Sequence, residues 1–249
     1  MASEKKIKVQ VKNMTKYFGD LHVLDDVSFD VKEGEFLCIV GPTGCGKTTF
    51  LNSLTHIYDI TSGEILVNDQ PVDLKKHNVA YILQEQSVMP WLKVAENIRF
   101  GLEIKGFPKD EIEQKAEAMI KLVGLEDFRD YYPAKLSASM LQRVSIARAF
   151  ATEPELLLMD EPYGQLDGYL RFQLEDELIK IWQQTKTTVI FITHNIEEAV
   201  YLGERILVLT NKPTTIKEEV VNELPRPRDI ASPEFINIRN HITELIRWW

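Results

Sequence analysis

The chain has 249 residues, 44% hydrophobic and 27% charged, enough for one large globular domain with subdomains. A formal charge of -9 argues against a broad nucleic-acid surface, and no apolar run approaches the roughly 18 residues that span a bilayer. Residues 1–8 lack the apolar segment of a secretory signal. A disulfide between the two cysteines, Cys38 and Cys45, would distort the turn that separates them, so a reduced, cytoplasmic protein is expected.

Residues 7–12 (IKVQVK), 27–31 (VSFDV) and 64–68 alternate apolar and polar side chains, which predicts half-buried antiparallel strands. Between the first two, Tyr17-Phe18-Gly19-Asp20 reads as a turn with two aromatics, and core or loop packing suffices to explain Phe18. Residues 36–40 (FLCIV) form a continuous apolar run, a buried strand, and GPTGCGKTT follows at 41–49. Gly41, Gly46, Lys47 and Thr48 fit G-x-x-x-x-G-K-[ST], the spacing of a phosphate-binding loop, with Pro42, Thr43, Gly44, Cys45 and Thr49 completing it. Glycine lets the backbone turn tightly, amides from about Gly44 to Thr49 form an anion nest, and the helix that follows adds the positive end of its dipole. Lys47 is expected to reach the outer phosphates of a nucleotide, and the Thr48 hydroxyl to take a magnesium position.

Residues 79–83 read as another strand, and Gln84 leads a loop that ends at Pro90-Trp91. Helices are predicted over 94–102 and 110–123, the second stopped by Gly124, and the whole of 92–150 reads as a helical insertion between two strands of the nucleotide-binding sheet. Ser137 is a good N-cap for the helix ASMLQRVSIARAFA. Residues 155–162 form a short buried strand ending in Asp160 and Glu161, the end at which open α/β sheets bind ligands. Asp160 is expected to meet the magnesium held by Thr48, and Glu161 to polarise a water beyond the terminal phosphate. A helix runs from after Asp167 to about 185, and the strand 188–192 ends at Thr193-His194. His194 is either structural or a hydrogen-bonding partner of a phosphate oxygen or the attacking water. A helix at 196–202, a strand at 205–209, a surface wrap through Pro225, Pro227 and Pro233 and a last helix complete the chain.

In this order the motifs resemble the ATP-binding cassette subunit of ABC transporters over nearly the whole chain: the phosphate loop at 41–48, Gln84, the signature segment at 136–140, the acidic strand at 156–161, the turn at 163–167 and His194. The resemblance implies an α/β fold with a P-loop core (1–84 and 154–222) that includes an antiparallel β subdomain. It adds an inserted helical subdomain (85–153) and a C-terminal tail and helix (223–249). It implies ATP hydrolysis with Mg2+, Phe18 stacking on adenine, and Gln84, Ser137, Ala138, Ser139 and Asp167 at the nucleotide. Thr48, Gln84 and Asp160 fall to the metal; Lys47, Glu161 and His194 fall to catalysis.

The partners implied are a second cassette, identical or different, membrane-spanning permease subunits that meet residues 85–100 and, indirectly, a solute-binding protein. The location implied is the cytoplasmic face of the membrane, with no nucleic acid involved. Trp91 fits either core packing or partner contact. The stretches LQEQSVMPW, VAENIRFGL, THNIEEAVYL and LPRPRD resemble the nitrate, sulfonate and taurine importers in particular.

One segment departs from that family. Its pattern L-S-G-G followed by Gln or Met is here Leu136-Ser137-Ala138-Ser139-Met140. If the glycines serve a left-handed backbone, the replacements cost about 1–2 kcal/mol each; if the backbone is helical, they favour the helix and only the approach to phosphate suffers.

Overall fold

A computed structural model describes residues 6–85, 87–164 and 166–247. Strands β1 (Ile7–Phe18) and β2 (Leu21–Lys32) pair antiparallel out to Phe18↔Leu21, so β1 takes up half of the predicted 17–20 turn. The turn narrows to Gly19 and Asp20 because Gly19 takes the positive φ, 56°, while the aromatics stay extended. Tyr17 faces His22 across the pair and stacks on it, ring centroids 4.1 Å apart.

Next come β3 (Phe36–Val40), buried throughout, α1 (Lys47–Leu54), β4 (Ser62–Val67), β5 (Gln70–Pro71) and β6 (Val79–Ile82). Helices α2 (Val94–Ile104), α3 (Lys109–Leu122) and α4 (Ala138–Ala151) follow, then β7 (Leu156–Asp160) and α5 (Gly168–Thr185). The chain closes with β8 (Thr188–Thr193), α6 (Ile196–Leu202), β9 (Arg205–Leu209), β10 (Ile216–Val221) and α7 (Pro233–Arg247). Trp248 and Trp249, expected at the end of the last helix, lie outside the described residues.

Contacts divide the chain into two compact units: one takes in the chain up to His77 and from Thr188 onward, the other is Asn78–Thr187. In the first, an antiparallel sheet has the order β2-β1-β4-β5, and a second group of strands has the order β10-β9-β3-β8. There β3 lies between parallel β8 and β9, which is why all five of its side chains are buried. Strand β10 lies between the predicted strand at 205–209 and Pro225, a stretch to which the sequence assigned no element. It pairs antiparallel with β9 at the edge, where a sequence as charged as IKEEVV is tolerated and gives no continuous apolar run. Cys38 and Cys45 are both free and buried.

Two arginines of the LPRPRD stretch finish α6. Arg228 Nη1 donates to the carbonyls of Val200 (2.8 Å), Tyr201 (3.0 Å) and Gly203 (2.6 Å), and Arg226 donates to those of Tyr201 and Leu202. They satisfy carbonyls that a helix end leaves without partners. Burial, helped by the neighbouring Arg226 charge, pulls the Arg228 guanidinium down to about 10.

In the second unit β6 and β7 pair in parallel, Val79↔Leu156 to Ile82↔Met159, and the helices accompany them. Asn97, fully buried on α2, accepts from the Met89 amide (2.8 Å) and donates to the carbonyls of Met89, Leu92 and Lys93. One side chain thus pins the loop before α2. Trp91 on that loop is 71% exposed, which removes core packing as its role.

Candidate functional site

The first unit carries the phosphate loop. The loop leaves buried β3 at Gly41, and α1 begins at Lys47, so residues 41–46 bridge a strand end and a helix start. Gly44 and Gly46 have φ of 78° and 110°, a backbone that only glycine adopts without strain, and a Cβ on Gly46 would stand 2.9 Å from Val23 Cγ1. The Cys45 amide donates to the Pro42 carbonyl (3.2 Å), and Thr214 Oγ1 donates to the Cys45 carbonyl. Burial raises the Cys45 thiol pKa, against the opposing pull of Lys47.

Lys47 is 5% exposed, and its Nζ donates to the carbonyls of Gly41 (3.0 Å) and Pro42 (3.2 Å), which holds the ammonium under the loop. Thr43, Gly44 and Thr48 are exposed and Thr49 half-buried.

Phe18 lies at the end of β1, 41% exposed, with Tyr58 edge-on at 5.3 Å and the Lys16 ammonium 4.6 Å from the ring centre. Tyr58 and Lys16 escaped the sequence reading, since nothing in the spacing 18 to 58 announces a contact. His194 is exposed at the end of β8, in a turn fixed on both sides. The Asn195 amide donates to Thr193 Oγ1 (2.9 Å), and Asn195 Oδ1 caps α6 by accepting from Glu197 and Glu198.

The second unit carries the acids. Asp160 ends β7 and is 3% exposed. Glu161 follows with φ 44°, unusual for a side chain of its size, and such a backbone persists where the surroundings enforce it. Gln84 Nε2 donates to Glu161 Oε2 at 3.4 Å, so the structure brings these two predicted residues together. Asp167 serves as the N-cap of α5, Oδ1 accepting from the Leu170 amide at 3.0 Å.

Ser137 N-caps α4, accepting from the Met140 amide at 3.3 Å, and its hydroxyl lies 3.0 Å from that of Ser139. Ala138 and Ser139 are the first two residues of the helix, and neither has a positive φ.

Among the described residues no three His, Cys, Asp or Glu side chains gather as a metal site. A magnesium ion held partly by nucleotide phosphates needs no such cluster. Thr48, Gln84 and Asp160 each carry a hard oxygen donor of the kind magnesium takes.

The sequence profile described as ABC transporter matches residues 24–164, more than half of the chain. The chain belongs to the ABC transporter family. It is an ATP-binding, ATP-hydrolysing cassette with the α/β P-loop fold of that family. The cassette is 45% identical over 246 residues to an uncharacterized ABC transporter ATP-binding protein of Methanocaldococcus jannaschii, covering 97% of this chain and 92% of that one. It is 37% identical over 241 residues to the aliphatic sulfonates import ATP-binding protein of Bacillus cereus, covering 95% and 94%. Among solved structures it is similar to a dimeric ATP-binding cassette in a post-hydrolysis state with ADP and phosphate. That match has 30% identity and a TM-score of 0.75, and covers 87% of this chain and 100% of that one. No helix among the described residues is long and apolar enough to cross a membrane.

Proposed function

We propose that the cassette powers a binding-protein-dependent importer of a small sulfonate or a related solute such as nitrate or taurine. The observation that carries this reading is the 37% identity, over 95% of the chain, to a sulfonate-import cassette. The cassette then sits on the cytoplasmic face of the membrane, held there by permease subunits, and works as a dimer. The dimeric state of the similar solved cassette supports the last point. Residues 85–100 are the permease-facing surface, a role favoured by the pinned loop and the exposed Trp91.

In this reading the adenine of ATP stacks on Phe18, and the amides of residues 41–49 and Lys47 hold the phosphates. Thr48, Gln84 and Asp160 hold magnesium, which neutralises charge on the phosphate oxygens when bound. Glu161 accepts a proton from water as the water oxygen bonds to the terminal phosphorus and the bond to the bridging oxygen breaks, leaving ADP and phosphate. His194 hydrogen-bonds the departing phosphoryl oxygens. Ser137, Ala138 and Ser139 close over the nucleotide of the second cassette, and Asp167 lies at that nucleotide too.

Glu161→Gln is expected to keep ATP binding and lower turnover by a hundredfold or more in a single-turnover assay; retained turnover removes Glu161 from its role. With permease and binding protein in vesicles, a sulfonate should stimulate ATP hydrolysis. Stimulation by nitrate alone would reassign the solute.

A further inference from the structure

The second unit contains a cavity of about 320 Å3 that no step of ATP hydrolysis uses, lined by Lys121 and Gly124 at the end of α3, Arg143 of α4, and Glu177, Lys180 and Gln184 of α5. Three cations against one acid is an unusual balance on a chain whose net charge is -9. The single acid is already engaged: Arg143 Nη2 meets Glu177 Oε1 at 2.7 Å, and Arg143 Nη1 donates to the Val123 carbonyl at 3.4 Å. That bond also neutralises the carbonyl end of α3, which would otherwise repel an anion. Among the described residues neither Lys121 nor Lys180 forms an ion pair at contact distance, and Glu177, already bonded to Arg143, is the acid whose charge Lys180 feels across the cavity. The turn at Gly124 is left-handed, φ 63°, and a Cβ there would make only ordinary contact, 3.7 Å, with Arg143 Nη1.

We propose that this cavity binds a small metabolite with an oxyanion head group, the head paired with Lys121 and Lys180 and the polar remainder with Gln184 and Glu177. The volume equals that of about ten waters in the liquid, so an inorganic ion fills only part of it and a small organic acid or phosphate ester fills it better. Such a ligand touches α4 and α5, the helices capped by Ser137 and Asp167, and so bears on two segments assigned to the nucleotide.

The test is calorimetric titration of the full-length chain, its phosphate loop filled with a non-hydrolysable ATP analogue, with glycerol 3-phosphate, inorganic phosphate and glycerol. Saturable binding of glycerol 3-phosphate, tighter than phosphate and absent for glycerol, is expected. K121Q/K180Q should weaken it about tenfold or more, since each lost charge-assisted contact is worth a factor of this order. K109Q, an exposed lysine away from the cavity, should leave it unchanged. Absence of saturation, unchanged affinity in the double variant, or equal weakening by K109Q each overturns the proposal. Because the nucleotide site is occupied throughout, none of these outcomes touches the ATPase assignment.

Discussion

The phosphate loop and the signature segment each precede a helix, and each is written with glycine in this family, yet glycine means different things in the two. In the loop Gly44 and Gly46 occupy left-handed backbone, and Val23 crowds the space a Cβ on Gly46 would take. In the signature segment Ala138 and Ser139 are the opening residues of α4 with ordinary helical φ. The fork left open by the sequence therefore closes on the helical branch: the two replacements store no backbone strain. Glycine is demanded by conformation in the first region and, at most, by closeness to phosphate in the second. A side chain at Gly46 would be strained and crowded, whereas the side chains at 138 and 139 sit on unstrained helix.

The largest effect is expected from Gly46→Ala. The left-handed backbone alone costs about 1–2 kcal/mol, and the 2.9 Å contact with Val23 forces a further shift. Nucleotide affinity should fall by more than tenfold in an equilibrium titration. Unchanged affinity would mean that the loop relaxes freely and that the contrast is false. Restoring the family's glycines, Ala138→Gly with Ser139→Gly, should do the opposite of what a defect predicts. Glycine in a helix costs roughly 0.5–1 kcal/mol relative to alanine. The double variant should therefore unfold at lower denaturant, while the ATPase rate of the assembled transporter stays within about twofold. A clear rise in rate would show that these side chains obstruct the phosphate.

The same contrast explains what could be read in advance. Backbone demands that act locally leave letters behind: the glycines of the loop, the apolar run of β3, the Ser137 cap and the acids ending β7 were all legible. Contacts closed by the fold leave none. Tyr58 reaches Phe18 from 40 positions away, Thr214 holds the Cys45 carbonyl across 169, and Arg228 caps a helix that ends 26 residues earlier. Strand β10 was missed because this edge strand only half-buries one side of a charged sequence, and the letters IKEEVV keep only a faint alternation. The positive φ of Glu161 was equally invisible, since Asp-Glu-Pro carries no glycine to flag it.

The smallest effect sharpens the comparison at its finest point. Ser137 caps α4 through a hydrogen bond of 3.3 Å, beyond the usual optimum. Ser137→Ala should therefore cost about 0.5–1 kcal/mol, the lower part of the range for a lost N-cap. The neighbouring Ser139 hydroxyl, 3.0 Å away, is placed to share the work, a contact that a glycine at that position cannot make. A double-mutant cycle with Ser139→Ala measured by denaturant unfolding separates the two cases. Coupling of about 0.5 kcal/mol or more means the serine has become part of the cap. Additive losses mean that Ser139 is merely accommodated, and that the helical backbone alone lets the segment do without its glycines.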